Sequence, residues 1–264
     1  MSVYYNEFEP YAAQWLKNLI RKGLIADGYV DDRSIHEVRG VDLQGYSQCH
    51  FFAGIGVWQL ALRNAGWGDT QEVWTGSCPC QPFSVIGTHK GEADKRHLWP
   101  EFFRLIKECK PKYVFGEQVA SKDGITWLDN LQTDMEGEGY ATGATVFPAC
   151  GVGSPHIRPR TYWVGHSQCK GLEGYNRREV NINEPGRNEK EQGRPSAQAG
   201  VCNGFWSDYT LATGNGYCKP IQPSTPLLVN GTPQRVGRIR AYGNAIVEPQ
   251  ARVFIESYME VMNI

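Results

Sequence analysis

The stretch "CHFFAGIGVWQLALRNAGW", residues 49–67, decides how the rest of the chain is read. A short apolar run leads into glycines at 54 and 56, and apolar residues at helical spacing follow. The pattern predicts a buried strand, a glycine turn, and a helix that ends near Gly66. Such a turn aims backbone N–H groups and a helix N-terminus at a ligand. The same turn also serves simply to pack a helix on a strand.

Working outward, "EVWTGSCPCQ" (72–81) reads as a second short strand running into a loop, and "LWPEFFRLIKECK" (98–110) as a helix. "KYVFGEQV" (112–119) reads as a strand with a polar end, "GITWLDNLQTDMEGEGY" (124–140) as a helix, and "RTYWVGH" (160–166) as a strand. An amphipathic helix is expected upstream in "EPYAAQWLKNLIRKGLI" (9–25), and a last helix in "AIVEPQARVFIESYMEVM" (245–262). Short apolar strands alternating with helices predict the α/β class, a parallel sheet covered by helices. From about His166 to Thr232 the sequence is polar, rich in Gly, Asn and Arg, and has no usable period. The expected organisation is a core over 1–166, a small irregular lobe over 167–232, and a return to the core over 233–264.

Bulk properties narrow the classes. The 264 residues are 41% hydrophobic and 21% charged, as in an ordinary globular protein. No apolar run approaches the roughly 18 residues that span a bilayer, so no membrane contact is expected. The opening "MSVYYNEFEP" lacks the basic and apolar regions of an export signal, so the expected location is the cytoplasm. The eight cysteines are then expected to be reduced. Neither "CPC" nor the scattered others supply paired metal-ligand spacing, so no metal is expected. Residues 1–156 carry 14 Lys/Arg against 19 Asp/Glu, whereas 157–252 carry 13 against 7. A basic segment on an acidic body suits a nucleic-acid contact, and equally a solvated loop with surplus arginine.

In "TGSCPCQPFS" (75–84) Cys80 follows Pro79 at the end of a strand, where α/β sheets bind ligands. A free thiol is only a few per cent thiolate at neutral pH, yet intrinsically nucleophilic. The competing reading is a buried structural cysteine.

"FAGIG" (52–56), "PCQPFS" (79–84), "GEQV" (116–119), "HIRPR" (156–160) and "YGNAIV" (242–247) occur in an order that closely resembles the DNA (cytosine-5)-methyltransferases. The resemblance covers nearly the whole chain except roughly 167–232. It implies a Rossmann-like S-adenosylmethionine-dependent methyltransferase sheet with a small target-recognition lobe. It also implies methyl transfer to carbon 5 of a flipped cytosine in double-stranded DNA. Cys80 would be the nucleophile, Glu117 would bind the cytosine edge, and Arg160 would aim at the base and position Glu117, with Arg158 in support. The cofactor would meet Phe52, Gly54, Ile55, Gly56, Pro79, Leu98, Asn244 and Ala245. DNA would meet Gln81, Ser84, Arg235, Arg238 and Arg240. An RNA cytosine methyltransferase, or a catalytically silent base-flipping protein on the same scaffold, are the rival readings.

Three departures from the family pattern stand out. Gln118 takes the place of Asn, and His156 that of Gln. Only 27 residues separate Phe52 from Pro79, too few for the two cofactor-binding strands expected there. Upstream, "YYNEFEPYAAQWLKNL" (4–19) resembles the missing second strand and its helix, and "VDDRSIHEV" (30–38) the acidic turn that follows. The motif order therefore reads as permuted. Glu7 would take the ribose hydroxyls, Phe8 would pack on the adenine, and Asp31 or Asp32 would lie near its amino group. An unrelated N-terminal extension is the alternative.

Overall fold

The computed structural model describes residues 3–78, 98–154, 157–167, 210–214, 217–221 and 244–264. A seven-stranded sheet is built from β1 (Val3–Asn6), β2 (Gly28–Asp31), β3 (Gln48–Phe51), β4 (Val73–Gly76), β5 (Tyr113–Val119), β6 (Ala141–Pro148) and β7 (Pro159–His166). Among the described residues five α-helices accompany it: α1 (Pro10–Arg21), α2 (Val57–Asn64), α3 (Trp99–Cys109), α4 (Lys122–Gly137) and α5 (Glu248–Met262). A two-stranded antiparallel ladder, β8 (Thr210–Gly214) with β9 (Tyr217–Ile221), stands apart from the sheet.

The strand order is β2-β1-β3-β4-β5-β7-β6. Reading β1 and β2 after β3 turns its first five strands into the 3-2-1-4-5 order of doubly wound α/β sheets. β1 to β5 are parallel throughout. β7 runs antiparallel to both β5 and β6, which corrects the all-parallel expectation at that edge.

Register fixes which side chains share a face. Val3, Gln48 and Val73 are aligned neighbours, as are Tyr4, Cys49 and Trp74. On the Val3 face α1 packs through Ala13 and Leu16 against Val3, Tyr5 and Val30. On that face α2 and α5 also pack, placing Trp58, Leu62 and Ile255 with Val73 and Phe115. On the Tyr4 face lie Phe102, Leu105 and Ile106 of α3, Leu131 and Met135 of α4, and Ile35, Val38 and Leu43 from the β2–β3 connection. The result is three layers with two buried interfaces.

This arrangement has a consequence for handedness. The β1–α1–β2 crossover steps one way along the sheet, and β3–α2–β4 steps the other way, yet both lay their helix on the Val3 face. The β2–β3 and β4–α3–β5 connections step in the second direction over the opposite face. The crossover through α2 is therefore opposite in hand to the other three. Parallel crossovers are right-handed in about 98% of cases. The exception is what results when a helix that would lead back to a neighbour on one side is joined to the strand on the other.

Packing demands show at single residues. Gly56 has φ 82°, and a Cβ there would meet Leu16 Cδ2 at 3.1 Å and Ile25 Cδ1 at 3.3 Å, so glycine lets α1 and the glycine turn touch. Gly116 on β5 makes room for the Trp163 indole, which a Cβ would strike at 2.2 Å.

Candidate active site

The C-terminal ends of the parallel strands form the crevice where α/β sheets bind ligands. Main-chain and side-chain bonds tie the first three ends together. Glu7 N donates to Asp31 O at 3.0 Å, Ala53 N to Asn6 O at 3.1 Å, and the buried Asn6 amide to Arg33 O at 2.9 Å. Glu7, directly after β1, accepts from Glu9 N at 2.9 Å and from Gly54 N at 2.7 Å. The predicted ribose carboxylate and the glycine turn are thus in direct contact across 47 residues of chain. Burial raises the Glu7 pKa, and these two backbone donors oppose the rise.

Phe52 and Gly54 both have left-handed backbones, φ 52° and 57°. A Cβ on Gly54 would meet only Phe52 O of its own turn, at 3.9 Å, so its glycine answers to conformation and leaves open room beside Glu7. Phe52 packs edge-on against Phe102 at 6.1 Å. Phe8 is 70% exposed at the same rim. Leu98 stands at the N-cap of α3 and packs on the Tyr4-face core.

The two acidic candidates separate. Asp31 is buried and engaged: Tyr4 Oη donates to it at 2.7 Å and Arg33 Nη2 at 2.6 Å. Burial alone would raise its pKa, but the bonds from Arg33 and Tyr4 hold it below the usual carboxyl value. Asp32 is exposed, with Lys17 Nζ at 3.6 Å. The side chain open to a ligand is therefore Asp32.

At the other end of the crevice Glu117 is 9% exposed, and its Oε1 lies 2.7 Å from Arg160 Nε. β5 and β7 place Glu117 opposite Tyr162, and Val119 opposite Arg160. Burial raises the Glu117 pKa, against the opposing pull of Arg160, Arg158 and a hydrogen bond from Ser77. A carboxyl held this way keeps a proton more readily than one in water. Arg158, with φ 34°, donates from Nη2 to Ala245 O at 3.0 Å, which joins the arginine segment to the Asn244–Ala245 turn before α5. Asn244 itself is exposed.

Gln118 is buried and donates from Nε2 to Cys78 O at 3.2 Å, while its Oε1 accepts from Val119 N at 2.9 Å. The longer amide thus clips the chain just before Pro79. Cys78 is buried in the core on the Tyr4 face, and burial pushes its thiol well above the usual value. It is a packing residue. Cys80, Pro79, Gln81, Ser84, His156, Arg235, Arg238 and Arg240 lie outside the described residues.

Two residues here escaped sequence reading. Ser77 and Trp58, joined at 2.9 Å, sit between α2 and Glu117. They carry no motif signal, because the bond spans 19 residues of chain. An apolar hollow of about 480 Å³ between β6, β7 and α5, lined among others by Phe147, Val164, His166 and Tyr258, contains none of the residues singled out from sequence.

A doubly wound sheet with a glycine turn, a carboxylate at each end of its crevice and an arginine on the second defines an α/β protein with a polar ligand crevice. A family model described as C-5 cytosine-specific DNA methylase matches residues 68–203, just over half of the chain, and the chain belongs to that family. The Type II methyltransferase M.HhaI of Haemophilus parahaemolyticus is 29% identical over 167 residues, 48% of this chain and 51% of that protein. The Type II methyltransferase M.NgoFVII of Neisseria gonorrhoeae is 31% identical over 123 residues, 44% of this chain and 32% of that protein. The chain spans about half the length, or less, of these relatives. A solved DNMT2 variant of Spodoptera frugiperda superposes with a TM-score of 0.44 and 13% identity, over 64% of this chain and 44% of that one.

Proposed function

We propose that the protein transfers a methyl group from S-adenosylmethionine to carbon 5 of a cytosine flipped out of double-stranded DNA. The observation that carries the reading is the pair of buried Glu117 with the partly buried Arg160 at 2.7 Å, beside the strand end that leads toward Pro79 and Cys80. A stacked base is out of reach of such a site, so the target must leave the duplex at a cost of a few kcal/mol.

The residues present fit the cofactor. Glu7 is a carboxylate for two hydroxyl donors, Gly54 leaves open room beside it, and Phe8 and Asp32 are accessible on the same rim. When bound, S-adenosylmethionine supplies an electrophilic methyl group. The motifs of the cofactor half are permuted on this reading: Glu7 and Asp32 come before the glycine turn in the chain but take their places beside it in the sheet. The strand order and the odd-handed α2 crossover both support that reading.

In the chemistry, the Cys80 thiolate adds to carbon 6, and its electron pair becomes the new C–S bond. Glu117, protonated, donates to N3 and neutralises the charge that develops on the ring. Carbon 5, now electron-rich, would take the methyl group as its bond to the sulfonium sulfur breaks and that electron pair stays on sulfur. Transfer of the carbon 5 proton to water, return of the N3 proton to Glu117 and departure of Cys80 as thiolate restore the ring. Arg160 orients Glu117 throughout, and Gln118 steadies the entry to the Cys80 loop. Residues 167–232 are proposed to read the target sequence, and the whole chain is proposed to work in the cytoplasm.

The test is bisulfite sequencing of DNA from cells expressing the protein. Protected cytosines at one recurring short sequence, lost with Cys80→Ala, are expected. A pattern identical to that of cells without the protein would overturn the reading.

A further inference from the structure

Ser77 lies between β4 and the Cys80 loop, and the chemistry above makes no use of it. Its Oγ accepts from Trp58 Nε1 at 2.9 Å, and because Gly76 pairs with Gly116 the next residues along, Ser77 and Glu117, are neighbours on adjacent strands, where the Ser77 hydroxyl favours the Glu117 anion. An indole N–H only donates, so Trp58 takes an acceptor position of Ser77 Oγ and leaves the hydroxyl proton free to face the Glu117 carboxylate. The donor is itself immobilised. Trp58 is buried, stacked on Phe115 at 6.4 Å and edge-on to Tyr162 at 6.0 Å. Trp58 is the second residue of α2, directly after the glycine turn. The chain therefore runs from the proposed cofactor half of the crevice to the proposed base-binding carboxyl.

We propose that Ser77 is a positioning residue for methyl transfer, its hydroxyl oriented by Trp58 so that it holds the Glu117 carboxyl in place for the target base. The inference rests on the cytosine-5 chemistry proposed above.

The groups that act on Glu117 are Arg160 and Arg158 from β7 and the residue before it, Tyr162 from β7, and Ser77 from the end of β4. Glu248 of α5 acts on Tyr162 from the far side. Burial favours the neutral acid. The two arginines and the Ser77 hydroxyl favour the anion, and burial prevails. Removing the hydroxyl removes one stabiliser of the anion. Glu117 then holds its proton to higher pH, and a step that needs the protonated acid survives to higher pH.

The experiment is single-turnover methylation of a target duplex across about pH 5.5 to 10, in the parent, Ser77→Ala, Ser77→Thr and Trp58→Phe. The alkaline limb is expected to move to higher pH in Ser77→Ala, to move less in Trp58→Phe, and to return in Ser77→Thr. Cofactor affinity is expected to stay at the parent value in all four. Infrared titration of the Glu117 carboxyl, assigned with Glu117→Gln, reads the same shift without catalysis. An unmoved titration in Ser77→Ala, or one shifted as far in Ser77→Thr as in Ser77→Ala, would overturn the inference. A parent that methylates no DNA while its infrared titration moves as expected counts against the proposed activity, with the Trp58–Ser77–Glu117 linkage upheld.

Discussion

Arg160→Ala gives the sharpest reading of the buried ion pair. In the folded protein Arg160 Nε stands 2.7 Å from a carboxylate that is 9% exposed. Removing one partner of a buried pair costs roughly 3–5 kcal/mol, because the other charge is left without compensation. Arg158 also favours the Glu117 anion, which places the expected loss near the lower end, about 3 kcal/mol. The loss depends on pH in a definite direction. Without Arg160, burial acts on Glu117 with less opposition, and its folded pKa rises further above the unfolded value. A group so shifted contributes stability that is fully present below the unfolded pKa and is lost as pH rises through the folded one. Urea unfolding of parent and variant at about pH 8 and about pH 4.5 tests this, since the unfolded carboxyl titrates near 4.3. The destabilisation should approach 3 kcal/mol at the higher pH and shrink toward lost packing alone at the lower. An equal loss at both, or a loss under about 1 kcal/mol at pH 8, would refute the reasoning, because surface pairs give that little.

Three further outcomes follow from the geometry. Gln118→Ala removes the bond to Cys78 O, worth about 0.5–1.5 kcal/mol, and should slow methyl transfer while calorimetry with S-adenosylhomocysteine shows unchanged affinity. His50 is buried between Gln48 and Thr75, and burial lowers its pKa to about 3. Its imidazole should stay neutral in NMR titration far below the usual 6.5, and its share of stability, complete above about pH 6.5, should fall by about 1.4 kcal/mol per unit as pH drops toward 3; a midpoint near 6.5 would contradict this. Gly56→Ala should destabilise more than Gly54→Ala in thermal melts, since both strain a left-handed backbone by about 1–2 kcal/mol but only Gly56 also meets Leu16 and Ile25.

Much of the crevice was legible because its signals are local. The glycine turn, the strand whose last residues are Glu117 to Val119 and the upstream acidic turn each lie within a few consecutive residues, and each proved to be an element end at the crevice. β1 shows why the permuted reading needed the sheet. Four residues, Val3 to Asn6, carry no period, yet all are buried between β2 and β3. β6 was missed because "ATGATVFP" is small and polar on an edge, with no clean alternation. The β8–β9 ladder lies in a stretch without usable period. Asp31 and Asp32 were indistinguishable in sequence. The Arg33 and Tyr4 bonds separate them, and Tyr4 lies 27 residues away.

The covalent bond between Cys80 and carbon 6 is the central step of the proposed reaction. DNA carrying 5-fluorocytosine at the target position tests it, because fluorine cannot leave carbon 5 as the proton does. Incubation with S-adenosylmethionine, followed by denaturing mass spectrometry, should show one protein–DNA adduct that maps to Cys80. The adduct should be lost in Cys80→Ala and kept in Cys78→Ala, whose thiol is buried in the core. No adduct with the parent, or an adduct that survives Cys80→Ala, would contradict the account.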